Sequence, residues 1–251
     1  MALINRTDLA LLLSMNSSMA SVNGSSTNGS DLALPTTSKT SPMTYEEFPL
    51  VERLAIYITL VVSIVGLIGN ACTIVVLNTP SMRKWRSSIL LSALAAADFL
   101  YLLIIFLAII DTLTHQAIGF HDSLLLCQTT VYITHICSFL SAGFTLSFTL
   151  QRFVAVLFPL HANTIISTRS SIINILVLVV LGCSFYSFSF FLTNISSGVC
   201  KEDESHAALF PLLIVDTCLT FILPFIFILL FNCAIVYKLR TRKKFDNACG
   251  K

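Results

Sequence analysis

The sequence predicts an all-α, polytopic bundle of transmembrane helices, and three observations predict it. Of the 251 residues, 55% are hydrophobic and only 11% are charged, against roughly a quarter charged in an ordinary soluble domain. The apolar residues gather into five stretches, each long enough to cross a hydrocarbon core of about 30 Å, which takes roughly 20 helical residues. With 19 Phe but only 9 Gly and 7 Pro, these stretches read as uninterrupted helices rather than the alternating strands of about ten residues that build a barrel. A net charge of +2 and a mean hydropathy of +0.85 exclude a disordered or nucleic-acid-binding chain.

Residues 1–53 are rich in Ser, Thr and Asn, carry too little apolar material for a core, and read as a flexible outer tail. Within it the run Leu9 to Leu13 is short, follows Asp8 and lacks a small-residue cleavage site, which argues against a cleaved signal peptide. The spans follow near residues 54–77, 88–110, 124–157, 172–192 and 207–237, forming a bundle over 54–237, and residues 238–251 are a basic inner segment. Placing the N-terminus outside leaves Arg83, Lys84, Arg86, Arg152, Arg169, Lys238, Arg240, Arg242, Lys243, Lys244 and Lys251 inside. Only Arg6, Lys39, Arg53 and Lys201 are then outside, the asymmetry that sets topology. The glycosylation sequons at Asn5, Asn16, Asn23 and Asn28 in the tail and at Asn194 after the fourth span all fall on that outer side.

Polar groups inside a span are costly and point to function or to an internal partner. Asp98 sits midway along the second span in Leu94-Ala95-Ala96-Ala97-Asp98, with no Lys or Arg at its depth. Asn70 lies at a comparable depth in the first, in Gly66-Leu67-Ile68-Gly69-Asn70, where two glycines permit close helix approach. Amide and carboxyl together predict a hydrated polar pocket, one that could hold a sodium ion at Asp98; a protonated Asp98 tying two helices together is the structural alternative. No other metal-ligand spacing is present. In the third span Cys127 and Arg152 are 25 residues apart, roughly 37 Å of helix, enough to reach from one interface to the other. Cys127 is then on the oxidising side, where the other cysteine outside the spans is Cys200, so these two are expected to pair. Cys72, Cys137, Cys183, Cys218, Cys233 and Cys249 fall in spans or in the reducing interior, as small apolar residues or free thiols, with Cys249 a candidate for palmitoylation.

From about residue 54 to 244 the sequence resembles the rhodopsin-like G-protein-coupled receptors. The carriers are Gly69-Asn70, Leu94 to Asp98, the interval from Cys127 to Arg152, Phe153, Pro159-Leu160 and Pro224 within Phe221-Ile222-Leu223-Pro224-Phe225. Each is weak alone, and the set gains its force from order and spacing. The resemblance implies five of that family's seven helices, a bend at Pro224, where a proline removes one helix hydrogen bond, and an Arg152 that holds the inner helix ends together and meets a heterotrimeric G protein when they part. A snorkelling interfacial arginine is the bland reading of Arg152.

Departures from the family pattern carry their own expectations. Gln151 stands where an acid usually precedes the arginine, so it can hydrogen-bond a neighbour but cannot form the ion pair that restrains Arg152, and a weaker inactive-state lock follows. Leu181 replaces the usual tryptophan of the fourth span and Asn232 the usual inner tyrosine of the fifth. The sixth and seventh helices do not appear, and the chain stops 14 residues after Tyr237 in a stretch resembling the start of the third inner loop, which implies a fragment, a truncated isoform or an incomplete gene model.

By the same resemblance the ligand pocket comprises Gln128, Thr134, His135 and Ser138 on the third span and Asp216 on the fifth. Thr134 occupies the place of the aspartate that pairs with amine ligands, which disfavours an amine. Asp216, eight residues before Pro224, offers a carboxylate to a cationic group such as an arginine of a peptide; its alternatives are exposure to outer water or a pair with His135. Glu202, Asp203 and Glu204 would steer a basic peptide or form a solvated rim. The expected function is a neuropeptide-type receptor in the plasma membrane, with an extracellular peptide, a G protein and the lipid bilayer as partners and no cofactor. The alternative is a non-signalling five-helix isoform that associates with a full-length receptor. A transporter is disfavoured by the lack of internal repeats and paired broken spans, and an enzyme by the lack of HExxH, Gly-x-Ser-x-Gly or a phosphate loop.

Overall fold

A computed structural model describes residues 50–82, 87–114, 123–159, 166–196, 199–202 and 208–249. Within them five helices are long and apolar enough to cross a membrane. They are α1 (Leu50–Leu77), α2 (Ser88–Leu113), α3 (Leu124–Leu157), α4 (Thr168–Leu192) and α5, whose crossing segment is Leu209–Arg242. Strands β1 (Thr193–Ser196) and β2 (Val199–Glu202) pair antiparallel between α4 and α5, with Thr193 opposite Glu202 and Ile195 opposite Cys200.

The helix ends have local causes. α2 runs past the Ile110 expected from hydropathy to Leu113, because Asp111, which hydropathy reads as an end, is fully buried. α4 starts ahead of the expected residue 172 because Ser167 caps it, its hydroxyl accepting from the Ser170 N–H at 3.1 Å. Late in α4 the backbone tightens into a single 3-10 turn, Tyr186–Phe188, before the last turn Ser189–Leu192. α5 carries the opposite distortion. Between α-helical Leu209–Thr217 and Leu223–Cys249 it widens into a π-helical turn, Cys218–Ile222. Pro224 has no N–H to give the Thr220 carbonyl, and the widened turn accommodates that missing bond.

Hydroxyls inside apolar helices need acceptors, and most find one in their own helix. Thr59 donates to the Ala55 carbonyl, Ser63 to Thr59, Thr145 to Ser141 and Thr149 to Thr145, all at 2.8–2.9 Å. Such residues are satisfied without a partner helix and need no function to explain them.

α3 is the axis of the bundle, packing against α2, α4 and α5, while α1 lies along α2. Ile136, Leu140 and Phe144 recur every four residues on α3 and form one core with Leu90 and Ala97 of α2 and Tyr186 of α4. A second cluster, Ile56 with Ile105 and Ile109, seals α1 to α2. Gly66 of α1 sits against Leu102 of α2, where a Cβ would overlap the leucine, whereas Gly69 faces open space. Only one of the two glycines expected to draw α1 and α2 together therefore does so. The outward faces of α1, α4 and α5 expose large apolar side chains such as Ile68, Leu176 and Phe225, as lipid-facing helices do.

Candidate functional site

Two ends of α3 gather the functional candidates. At the first, Cys127 is joined to Cys200 by a disulfide, which fastens β2 to the first turn of α3. One residue on, the Gln128 amide donates to the carbonyls of Phe190 at 2.9 Å and Thr193 at 3.2 Å. Those carbonyls belong to the end of α4 and the start of β1, where a helix has no N–H donors of its own left for them. Gln128 is thus a cap for another helix. Tyr132, one turn below, donates to the Cys183 carbonyl at 3.0 Å and packs its ring 4.7 Å from Phe190.

Deeper on the same end, His135 Nε2 lies 2.9 Å from Glu202 Oε1, with the two side chains only 11% and 19% exposed. Its ring stacks on Tyr186 at 5.3 Å and meets the edge of Phe188 at 6.3 Å. Tyr186 is completely buried, and its hydroxyl donates to Asp216, which is 1% exposed. The result is a polar chain through an aromatic chamber: Glu202 on β2, His135 on α3, Tyr186 on α4, Asp216 on α5. Both carboxylates are already engaged, so a cationic group can reach either by exchange with His135 or Tyr186.

The expected pocket residues divide accordingly. Gln128, His135 and Asp216 are brought to this end and bound to neighbours there, while Thr134 is buried with its hydroxyl on the Thr130 carbonyl at 2.7 Å. Ser138 is half-buried on α3. Asp216 is buried rather than exposed to outer water, and the Tyr186 phenol donates to one of its oxygens. Glu202 is partly buried on β2, and Asp203 and Glu204 lie outside the described residues. Asn194 is exposed on β1, its side-chain oxygen accepting from the Ile195 N–H at 2.8 Å, whereas Asn5, Asn16, Asn23 and Asn28 lie outside the described residues.

At the other end, Gln151 bridges three helices: its amide donates to Ser171 Oγ of α4 at 3.1 Å, and Ser87 at the start of α2 donates to its carbonyl at a long 3.5 Å. Arg152 is exposed, with its guanidinium 4.9 Å above the ring of Phe148 one turn back. Phe153 packs on Phe231 of α5, centroids 4.8 Å apart, and Pro224 is buried in the same helix. Between the two ends, Asp98 of α2 is half-buried near Ser141 of α3. Asn70 is half-buried on α1.

Residues 69–248 of this arrangement match the family model of the 7 transmembrane receptor (rhodopsin family). The chain belongs to that family. It is also similar, at 22% identity over 200 residues, to the growth hormone secretagogue receptor type 1 of Oryctolagus cuniculus. That alignment covers 74% of this chain and 54% of the relative, so the chain spans about half the length of the curated relative it matches.

Sequence reasoning missed two residues of this rhodopsin-family chain. Tyr186 was hidden in the aromatic run Phe185-Tyr186-Ser187-Phe188; the available signal was its hydroxyl, which a buried tyrosine has to place on an acceptor. Asp111 escaped because it stands near a span end, where a carboxylate looks like an interface residue, yet it is fully buried.

Proposed function

We propose that this chain carries the ligand site and the Arg152 end of a peptide receptor of the plasma membrane, with its N-terminus outside, which passes an outer ligand's binding to a heterotrimeric G protein. Family membership supports the receptor reading, and the similar protein is named for a secretagogue. The observation that carries the ligand class is the chamber in which Glu202, bonded to His135, and Asp216, bonded to Tyr186, stand among Tyr186, Phe188 and Phe139. A guanidinium taking the place of the phenol or the imidazole would give such a carboxylate a bidentate, charge-assisted pair in a poorly hydrated place. Ligand binding then shifts a pre-existing equilibrium toward the form in which Arg152 is engaged.

The test is activation of a G-protein biosensor in cells expressing the full open reading frame that contains this chain, challenged with peptides bearing basic residues. A responding peptide should lose at least about tenfold in potency on Asp216→Asn, the scale of one charged hydrogen bond. A response to amines or lipids with peptides silent would overturn the reading.

A further inference from the structure

Three ties run from the β1–β2 hairpin to α3. The disulfide at Cys200 and the Gln128 bond to the Thr193 carbonyl do not depend on pH near neutrality. The third, Glu202 with His135, does, because a histidine gains and loses its charge between about pH 5 and 8. Cys200 and Glu202 are two apart on β2 and so share a face of the strand; Cys127 and His135 are eight apart on α3, about two turns. The strand is therefore pinned at one residue by a covalent bond and at the next on that face by an imidazole and a carboxylate 2.9 Å apart.

From this the geometry points to a proton-dependent latch, in which protonated His135 holds Glu202 and with it β2 against α3, and deprotonation loosens the strand over the chamber. The surroundings suit the role. Glu202 faces the imidazole from β2, and the Tyr186 phenol stacks on it from α4 with Phe188 at its edge. Asp216 of α5 stands one bond further on, its carboxylate taken by Tyr186. On α2, Asp98 lies near Ser141, six residues beyond His135 on α3; Tyr101 and Asp111 are the other ionisable side chains of that helix. With His135 charged, the pair is an ion pair shielded from water; with it neutral, the Coulomb attraction is gone and only a hydrogen bond from a neutral imidazole to the carboxylate is left. The contribution is thus fully present at low pH and is lost as pH rises through the imidazole titration. The latch bears on the ligand site proposed above, because a cationic ligand would compete with His135 for Glu202, yet it can be read without any ligand.

The measurement is hydrogen–deuterium exchange of the 193–202 amides in the whole chain in phospholipid nanodiscs, at about pH 5.5 and about pH 8, after correction for intrinsic rates. Protection of the hairpin should fall at least about threefold at the higher pH. His135→Gln, which keeps a donor but not the charge, and Glu202→Gln should both flatten that dependence while α3 stays protected. The midpoint of hairpin opening should also coincide with the titration of the His135 ring followed by nitrogen NMR. A flat wild-type profile, a slope surviving in His135→Gln, or mismatched midpoints would each overturn the latch while leaving the peptide reading intact. A sloping profile in a receptor silent to peptides would do the reverse.

Discussion

Phe139 of α3 lies in the notch that Gly182 leaves on α4, so close that a Cβ on the glycine would stand 3.1 Å from its ring. The relationship is reciprocal. Gly143, four residues after Phe139, receives Leu178, four residues before Gly182, at 3.2 Å. Each helix thus presents a large residue and a glycine one turn apart, and each large residue fills the other's gap. This small-residue packing suits a membrane, where lipid removes the hydrophobic drive between helices.

A graded response to substitution follows. Gly182→Ala asks Phe139 to yield by a few tenths of an ångström, and the better helix propensity of alanine, about 1 kcal/mol, offsets that cost. Gly182→Leu cannot be accommodated without parting α3 and α4, and overpacking of this kind costs about 1–3 kcal/mol. Thermal unfolding in nanodiscs should show the alanine variant within a degree or two of the parent and the leucine variant clearly below it. Recovery of Gly182→Leu by Phe139→Ala would confirm that the clash is with that ring.

Tyr186 and Asp216 are the second prediction. Tyr186→Phe keeps the ring in its stack with His135 but takes the donor from a buried carboxylate, a loss of about 1–3 kcal/mol. Asp216→Asn should cost less, since an amide still accepts from the phenol. The double variant should be less unstable than the sum of the two, with a coupling of at least about 0.5 kcal/mol in a thermal-stability cycle. Strict additivity would mean that the two side chains do not share their energy.

The helices and the disulfide were legible in the sequence, and the polar pairings were not. Hydropathy and spacing locate Cys127, Arg152 and Pro224 because they mark positions along a span, a property of one dimension. Partners depend on helix rotation, which hydropathy does not encode when the helices are apolar on nearly every side. So the bond from Tyr186 of α4 to Asp216 of α5 has no counterpart in span length or residue spacing. Span hydroxyls give little guidance either, since many, such as Ser63 and Thr149, satisfy themselves within their own helix.

Asn194 offers a direct test of which end of the bundle faces out. It is exposed on β1, six residues before Cys200, and glycosylation needs exposure on the lumenal side. Expression in mammalian cells should give a protein whose electrophoretic mobility shifts on treatment with an N-glycosidase. Asn194→Gln should remove one step of that shift and leave the rest to Asn5, Asn16, Asn23 and Asn28. A full-size shift in the variant would deny Asn194 a glycan, and no shift in the parent would argue against an outer hairpin.

The last prediction concerns Gln151, where an acid would restrain the neighbouring arginine. Its two bonds go sideways, to Ser87 and Ser171, so it fastens α2 and α4 to α3 and leaves Arg152 lying over Phe148. A neutral amide can serve both serines, donating to one and accepting from the other, whereas a carboxylate can only accept. Gln151→Asp should therefore give up the Ser171 bond in its present sense and place a negative charge beside Arg152. In a full-length form the variant should show lower basal G-protein signalling than the parent, because the new ion pair favours the state in which Arg152 is held. Gln151→Leu separates the two effects: it breaks the three-helix bridge without supplying a charge, so it should lower thermal stability by about 1–2 kcal/mol and leave basal signalling unreduced. Equal basal activity in parent and Gln151→Asp would show that this position does not govern the arginine.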